Sequence, residues 1–156
     1  MANHLLDEST KGVFIIAATP FADDGALDLE SLDRLIAFYL DAGVHGLTIL
    51  GMMGEAPKLT YEESCLVIER TLRRVAGAVP VVVGVSSPGL ANVALLTSIA
   101  MSAGAAGVML APPSGLATDE QIEGYLHQAC AMLGDDVPVV LQDYPQATGV
   151  HLSVGL

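Results

Sequence analysis

Five short aliphatic runs recur along this chain at a nearly constant pitch, and that recurrence limits its fold more than any single residue does. The runs cover 12–18, 46–50, 79–85, 107–111 and 137–142, and their starts lie 34, 33, 28 and 30 residues apart. Each is almost continuously apolar rather than alternating, which is the pattern of parallel strands covered on both faces. Amphipathic helices fill the intervals. The first follows Asp28, a good N-cap, and carries Leu32, Leu35, Ile36 and Tyr39 on one stripe. The second opens with Thr60 and Glu63 at capping-box spacing and runs to about residue 76, and the fourth opens with Thr118 and Gln121 in the same way. The third, over 91–103, is rich in Ala, Leu and Ser. "DAGVHG" and "SAGAAG" precede the second and fourth runs, so the helix-ending chemistry repeats as well.

Strand-helix alternation at this pitch fits both a doubly wound sheet and a (β/α)8 barrel. A barrel needs eight units and about 250 residues; the 156 residues here hold five strands and four helices. The chain therefore reads as an open α/β sheet or as part of a barrel. Neither GxGxxG nor GxxxxGK[ST] follows any strand, and the glycine turn "GMMGE" follows the second strand and lacks a phosphate-loop lysine. A dinucleotide-binding sheet is accordingly disfavoured.

Eighteen acidic against six basic side chains give a formal net charge of −12, which repels nucleic-acid backbones and anionic lipid alike. No apolar run is long enough to span a membrane and no basic segment leads into one, so the chain reads as soluble and cytoplasmic. Residues 1–11 read as a short mobile tail and 12–156 as the domain. Cys65 and Cys130 sit in helical patterns without CxxC spacing, which predicts free thiols. The 52% hydrophobic content, before the sixteen glycines are counted, exceeds what a small monomer normally uses.

Several motifs then coincide in order: "TPF" after the first strand, "GMMGE" with a following Leu-Thr after the second, "PVVVGV" as the third, "GVMLAPP" as the fourth, and "YPQATG" after the fifth. Together they resemble the N-terminal part of the dihydrodipicolinate synthase and N-acetylneuraminate lyase family, Schiff-base-forming lyases of the class I aldolase type. The resemblance implies a (β/α)8 TIM barrel of which this chain holds about the first five strands and four helices. It also implies an aldolase or hydro-lyase acting on a pyruvate-type 2-oxo acid, through an imine on a lysine at the end of strand six. No cofactor or metal is expected, and the unpaired edge strands of a partial barrel predict self-association into a homo-oligomer. The imine lysine would lie beyond Leu156. Lys11 precedes the first strand and Lys58 sits in a loop, and both read as solvated charges, so these 156 residues alone are expected to be inactive. The other reading is a non-catalytic partial barrel that binds a small acid or self-associates.

The resemblance places substrate binding at Thr19, Gly51, Met52, Met53, Gly54, Glu55 and Ser114, and catalytic work at Gln142 and Tyr144. Each departure from the family pattern has a chemical meaning. Where the family carries hydroxyl residues for a proton relay and for the keto acid's carboxylate, Met52 and Met53 stand here, and thioethers donate no proton. Gln142 occupies the place of a relay tyrosine. Tyr144, two residues on, either replaces that phenol or is a turn residue stacked on Pro145. Ser114 matches a second relay tyrosine and Ala147 an arginine that meets a distal carboxylate. The turn's backbone amides, Met53's among them, survive these changes, and Glu55 either orders the turn or caps nearby backbone. A less polar substrate follows, since methionines offer adaptable apolar contact. His45, His127 and His151 have no partner at metal spacing and read as structural.

Overall fold

The computed structural model describes residues 5–155. Five parallel strands, β1 (Phe14–Ile16), β2 (Gly46–Ile49), β3 (Val81–Gly84), β4 (Gly107–Leu110) and β5 (Val139–Leu141), lie side by side in chain order. Helices α1 (Leu29–Asp41), α2 (Tyr61–Val75), α3 (Leu90–Ser102) and α4 (Asp119–Leu133) form the crossovers. A 3-10 turn at Ala56–Lys58 precedes α2, and one short helix, α5 (Pro145–Thr148), follows β5.

The expected caps hold the helix starts. The Asp28 carboxylate accepts the Ser31 amide at 2.8 Å. Thr60 with Glu63 and Thr118 with Gln121 both close full capping boxes. The strands are shorter than the apolar runs because ladder pairing stops where the chain turns, and Pro80 and Pro138 have no N–H to offer; their carbonyls still accept, from Leu47 and Val108.

Register separates the two faces of the sheet. Leu47 pairs with Val81, Ile49 with Val83, and Val83 with Val108. These residues, with Val85 and Leu110, form the main core against Leu32, Ile36, Val67, Ile68, Val93 and Ala129 of the helices. Each fully buried aliphatic side chain contributes roughly 1.5–3 kcal/mol. The opposite face carries Ile16, Thr48, Val82 and Gly107 in one row and Gly84, Met109 and Val140 in the next. That face lines the inside of the curved sheet.

Both edges are open among the described residues. β5 leaves Val139, Val140 and Leu141 exposed at 38%, 40% and 50%, and Val13 beside β1 is 61% exposed. Over residues 5–11 the N-terminal segment meets the sheet at Leu6, whose amide donates to Ala106 O at 2.8 Å and whose side chain lies where a Cβ on Gly107 would meet it at 3.2 Å. The Asp7 side chain accepts the Ser9 hydroxyl and amide at 2.7 and 2.9 Å, which orders the turn and lowers its carboxyl below the usual range.

Candidate functional site

The "GMMGE" stretch turns the chain at the C-terminal end of β2. Leu50, buried to 4% exposure, adopts φ 54, a left-handed conformation that costs a non-glycine residue roughly 1–3 kcal/mol. Two consecutive turns follow, with Gly54 N–H donating to Gly51 O at 3.0 Å and Glu55 N–H to Met52 O at 3.1 Å. Those bonds occupy the amides of Gly54 and Glu55. The amides of Met52 and Met53 have no acceptor among the described residues.

Neighbouring strands support this turn. Thr19, 7% exposed, donates its hydroxyl to Gly54 O at 2.7 Å and ties the loop after β1 to the turn. Gly51 is closely covered, since a Cβ there would lie 3.2 Å from both Ile16 Cγ2 and Met109 Cε. Met109 thus meets the turn from β4. Met52 is half-buried and Met53 is 64% exposed, so the thioethers stand at the rim. Glu55 is also left-handed at φ 53, and its carboxylate pairs with the Lys58 ammonium. Both partners are solvated, and such pairs contribute about 0–1 kcal/mol.

The remaining candidates are less tightly organised. The Gln142 amide donates to Leu110 O at 2.8 Å and so extends the β5 pairing. Tyr144 does not continue it: this residue stands at the start of α5, where its carbonyl accepts from the amides of Ala147 and Thr148, and its ring is 45% exposed. Gln142 and Tyr144 therefore do not share one regular strand face. Ser114 is exposed in the turn after β4. Ala147 is exposed in α5, and the Thr148 hydroxyl caps the Val150 amide at 3.1 Å.

His45 lies at the other end of the sheet, where its Nδ1 accepts the Val13 amide at 3.0 Å. Gly12, at φ 115, makes room for that ring. His127 meets Glu123 on the exposed face of α4. Among the described residues no group of three His, Cys, Asp or Glu side chains is arranged to hold a metal, and both cysteines are free thiols. No described helix is long and apolar enough to cross a membrane. A hollow of about 520 Å³ opens on the inner face near the N-terminal segment, lined by Leu6, Phe14, Thr48, Val82, Pro138 and Val140. It is the unfilled interior of an unclosed sheet, at the end remote from the turn.

The model of the dihydrodipicolinate synthetase family matches residues 9–155. The chain belongs to that family. A 4-hydroxy-tetrahydrodipicolinate synthase from Thiobacillus denitrificans is 34% identical over 146 residues, which are 93% of this chain and 49% of the relative. An L-2-keto-3-deoxyarabonate dehydratase from Azospirillum brasilense is 37% identical over 145 residues, 92% of this chain and 47% of that protein. The crystal structure of a dihydrodipicolinate synthase from Rhodopseudomonas palustris matches with a TM-score of 0.90 at 50% identity, covering 96% of this chain and 49% of that one. The chain spans about half the length of the relatives it matches, and its open sheet is the corresponding part of the family's barrel.

Membership leaves visible what the sequence reading missed around the turn. The left-handed Leu50, the Met109 methyl against Gly51, and Ser86, whose hydroxyl accepts the Ala111 amide at 2.8 Å, were not singled out. Gly84 lies inside "PVVVGV", and an isolated glycine within a strand is the sequence signal for close approach of another backbone.

Proposed function

We propose that this chain forms the N-terminal barrel half of a lyase that binds the carboxylate of a pyruvate-type 2-oxo acid at the amides of Met52 and Met53. The observation that carries the reading is that pair of unengaged amides, on a glycine-framed turn at the C-terminal end of a barrel strand, where barrel chemistry is performed. Thr19 and Glu55 order the turn, Gly51 and Gly54 let it bend, and Ser114, Gln142 and Tyr144 border the same end of the sheet. Gln142 or Tyr144 takes part in proton handling once a closed barrel brings a substrate to them.

The imine lysine is supplied by residues outside this chain, in an aldolase or hydro-lyase reaction that needs no cofactor. Lys58 is solvated and paired with Glu55, and Lys11 is exposed before β1, at the end of the sheet opposite to the one where barrel chemistry is performed. Relatives that include both a synthase and a dehydratase leave the bond made or broken open to the second half of the site. Met52, Met53 and Ala147 favour a substrate less polar than a dicarboxylic one. A cytoplasmic homo-oligomer is the expected setting.

Incubation of the chain with pyruvate and borohydride should leave its mass unchanged, and a stable adduct on Lys11 or Lys58 would refute the assignment of the lysine. The second reading, a partial barrel that binds an acid or self-associates without turnover, is favoured by the exposed β5 residues. It predicts a mass that rises with concentration and no activity when the remaining strands are added.

A further inference from the structure

We infer that Gly84 and Gly54 act as a clamp on the Leu50–Gly51 peptide and so set the direction of the Met52 and Met53 amides. A Cβ on Gly84 would lie 2.1 Å from Leu50 O, 2.7 Å from Leu50 C and 3.2 Å from Gly51 N. One on Gly54 would lie 3.0 Å from Leu50 N, 3.1 Å from Leu50 Cα and 3.2 Å from Gly51 N. Both glycines thus close on the same short piece of backbone, one from β3 and one from within the turn.

The need for such a clamp follows from Leu50. A buried leucine at φ 54 relaxes to ordinary backbone unless its surroundings hold it there. Relaxation would rotate the following peptide and, two residues on, swing the free amides. The Leu50 side chain is locked in the core and its carbonyl is seated over Gly84, so the left-handed state has support from both ends. Gly84 is itself fixed by pairing with Met109, whose methyl covers Gly51. β3 and β4 therefore position a turn that belongs to β2. Gly84 is a positioning residue in this account, and the functional consequence rests on the carboxylate-binding reading above.

The test uses the isotopically labelled 156-residue chain with Gly84→Ala, Gly54→Ala and, as a control for the chemistry of the change, Gly124→Ala, where an added Cβ meets nothing within 4 Å. Residual dipolar couplings of the Met52 and Met53 amides in the ligand-free protein read their direction. They should change in Gly84→Ala, change less in Gly54→Ala, and match wild type in Gly124→Ala, while couplings in α4 stay constant in all three. Pyruvate titration should then show about tenfold or greater weakening in Gly84→Ala, as expected for a misdirected charge-assisted hydrogen bond. If Gly84→Ala does not fold, Gly54→Ala decides. Unchanged Met52 and Met53 couplings in a folded clamp variant overturn the inference. Changed couplings with no pyruvate response in wild type leave the clamp standing and overturn the carboxylate reading.

Discussion

Two buried threonines show how differently the same residue type can act. Thr19 donates to Gly54 O and leaves no polar group wanting, whereas the Thr71 hydroxyl is buried in α2 with no hydrogen-bond partner among the described residues. Valine has the same shape without the hydroxyl, so the two changes to valine should have opposite signs. Thr19→Val strands a buried carbonyl and should destabilise by about 1–3 kcal/mol, while Thr71→Val removes an unsatisfied group and should be neutral or stabilising by up to about 1 kcal/mol. Urea denaturation of the two variants measures this, and equal losses would contradict the assignment. Thr19 is legible in the sequence as the hydroxyl of "TPF" directly after the first strand. It had no means of seeing Leu50's positive φ, because the forces that hold it arrive from β3 and from Gly54 rather than from its neighbours in the chain. Met52 and Met53 were legible as a chemical departure, but their free amides became visible only when the bonds of Gly54 and Glu55 were assigned.

At the scale of elements, local chemistry carried most of the information. Helix starts at Asp28, Thr60 and Thr118 were readable because a cap is a contact between residues three apart, and all three form. Thr60→Ala and Thr118→Ala should each cost about 0.5–2 kcal/mol and should add, since the two boxes share no partner; thermal melts of the single and double variants check both points. Strand limits were less legible, because pairing depends on a neighbour some thirty residues away. The contact between α1 and α2 was not anticipated at all. There Arg70 donates to both carboxylate oxygens of Asp33 at 2.8 and 2.7 Å, and this holds the Asp33 carboxyl below the usual carboxylate range. A depressed native value means the unfolded chain takes up the proton first as pH falls. The pair's contribution is therefore complete above the unfolded value near about 4 and is lost as pH drops through the native value. Solvent reaches both side chains, so the contribution is a few tenths to about 1 kcal/mol. The stability gap between wild type and Asp33→Asn should be present at neutral pH and close in strong acid; a gap that survives there would show that packing, not charge, links the helices.

For the molecule as a whole, the pitch of the apolar runs reaches a parallel α/β sheet of five strands and leaves a doubly wound sheet and part of a barrel both open, and it is the order of the motifs that selects the barrel. What the pitch could not convey is how the open edges are treated. Among the described residues β1 and β5 each pair on one side only, and β5 presents three aliphatic side chains to solvent with no charge, proline or bulge among them. Natural sheets blunt such edges, and an unblunted one pairs with whatever strand it meets. The net charge of −12 opposes that meeting at long range, but salt screens it within about 8–10 Å, and the acidic residues nearest β5 in sequence, Asp135, Asp136 and Asp143, flank the strand without standing in it. Association should therefore strengthen with ionic strength, the reverse of what an interface made of ion pairs would do. Sedimentation of the chain at low and at 0.5 M salt, on the order of a Debye length of 4 Å, should show mass above the 16.1 kDa monomer rising with both protein concentration and salt. Leu141→Lys places a charge on the most exposed residue of β5 and should return the chain to monomer under the same conditions without changing its melting temperature, since that side chain is half in water already. A variant that associates as wild type does would move the contact away from β5. A wild-type chain that stays monomeric throughout would mean that the segment over residues 5–11 and the curvature of the sheet are sufficient to keep its edges apart.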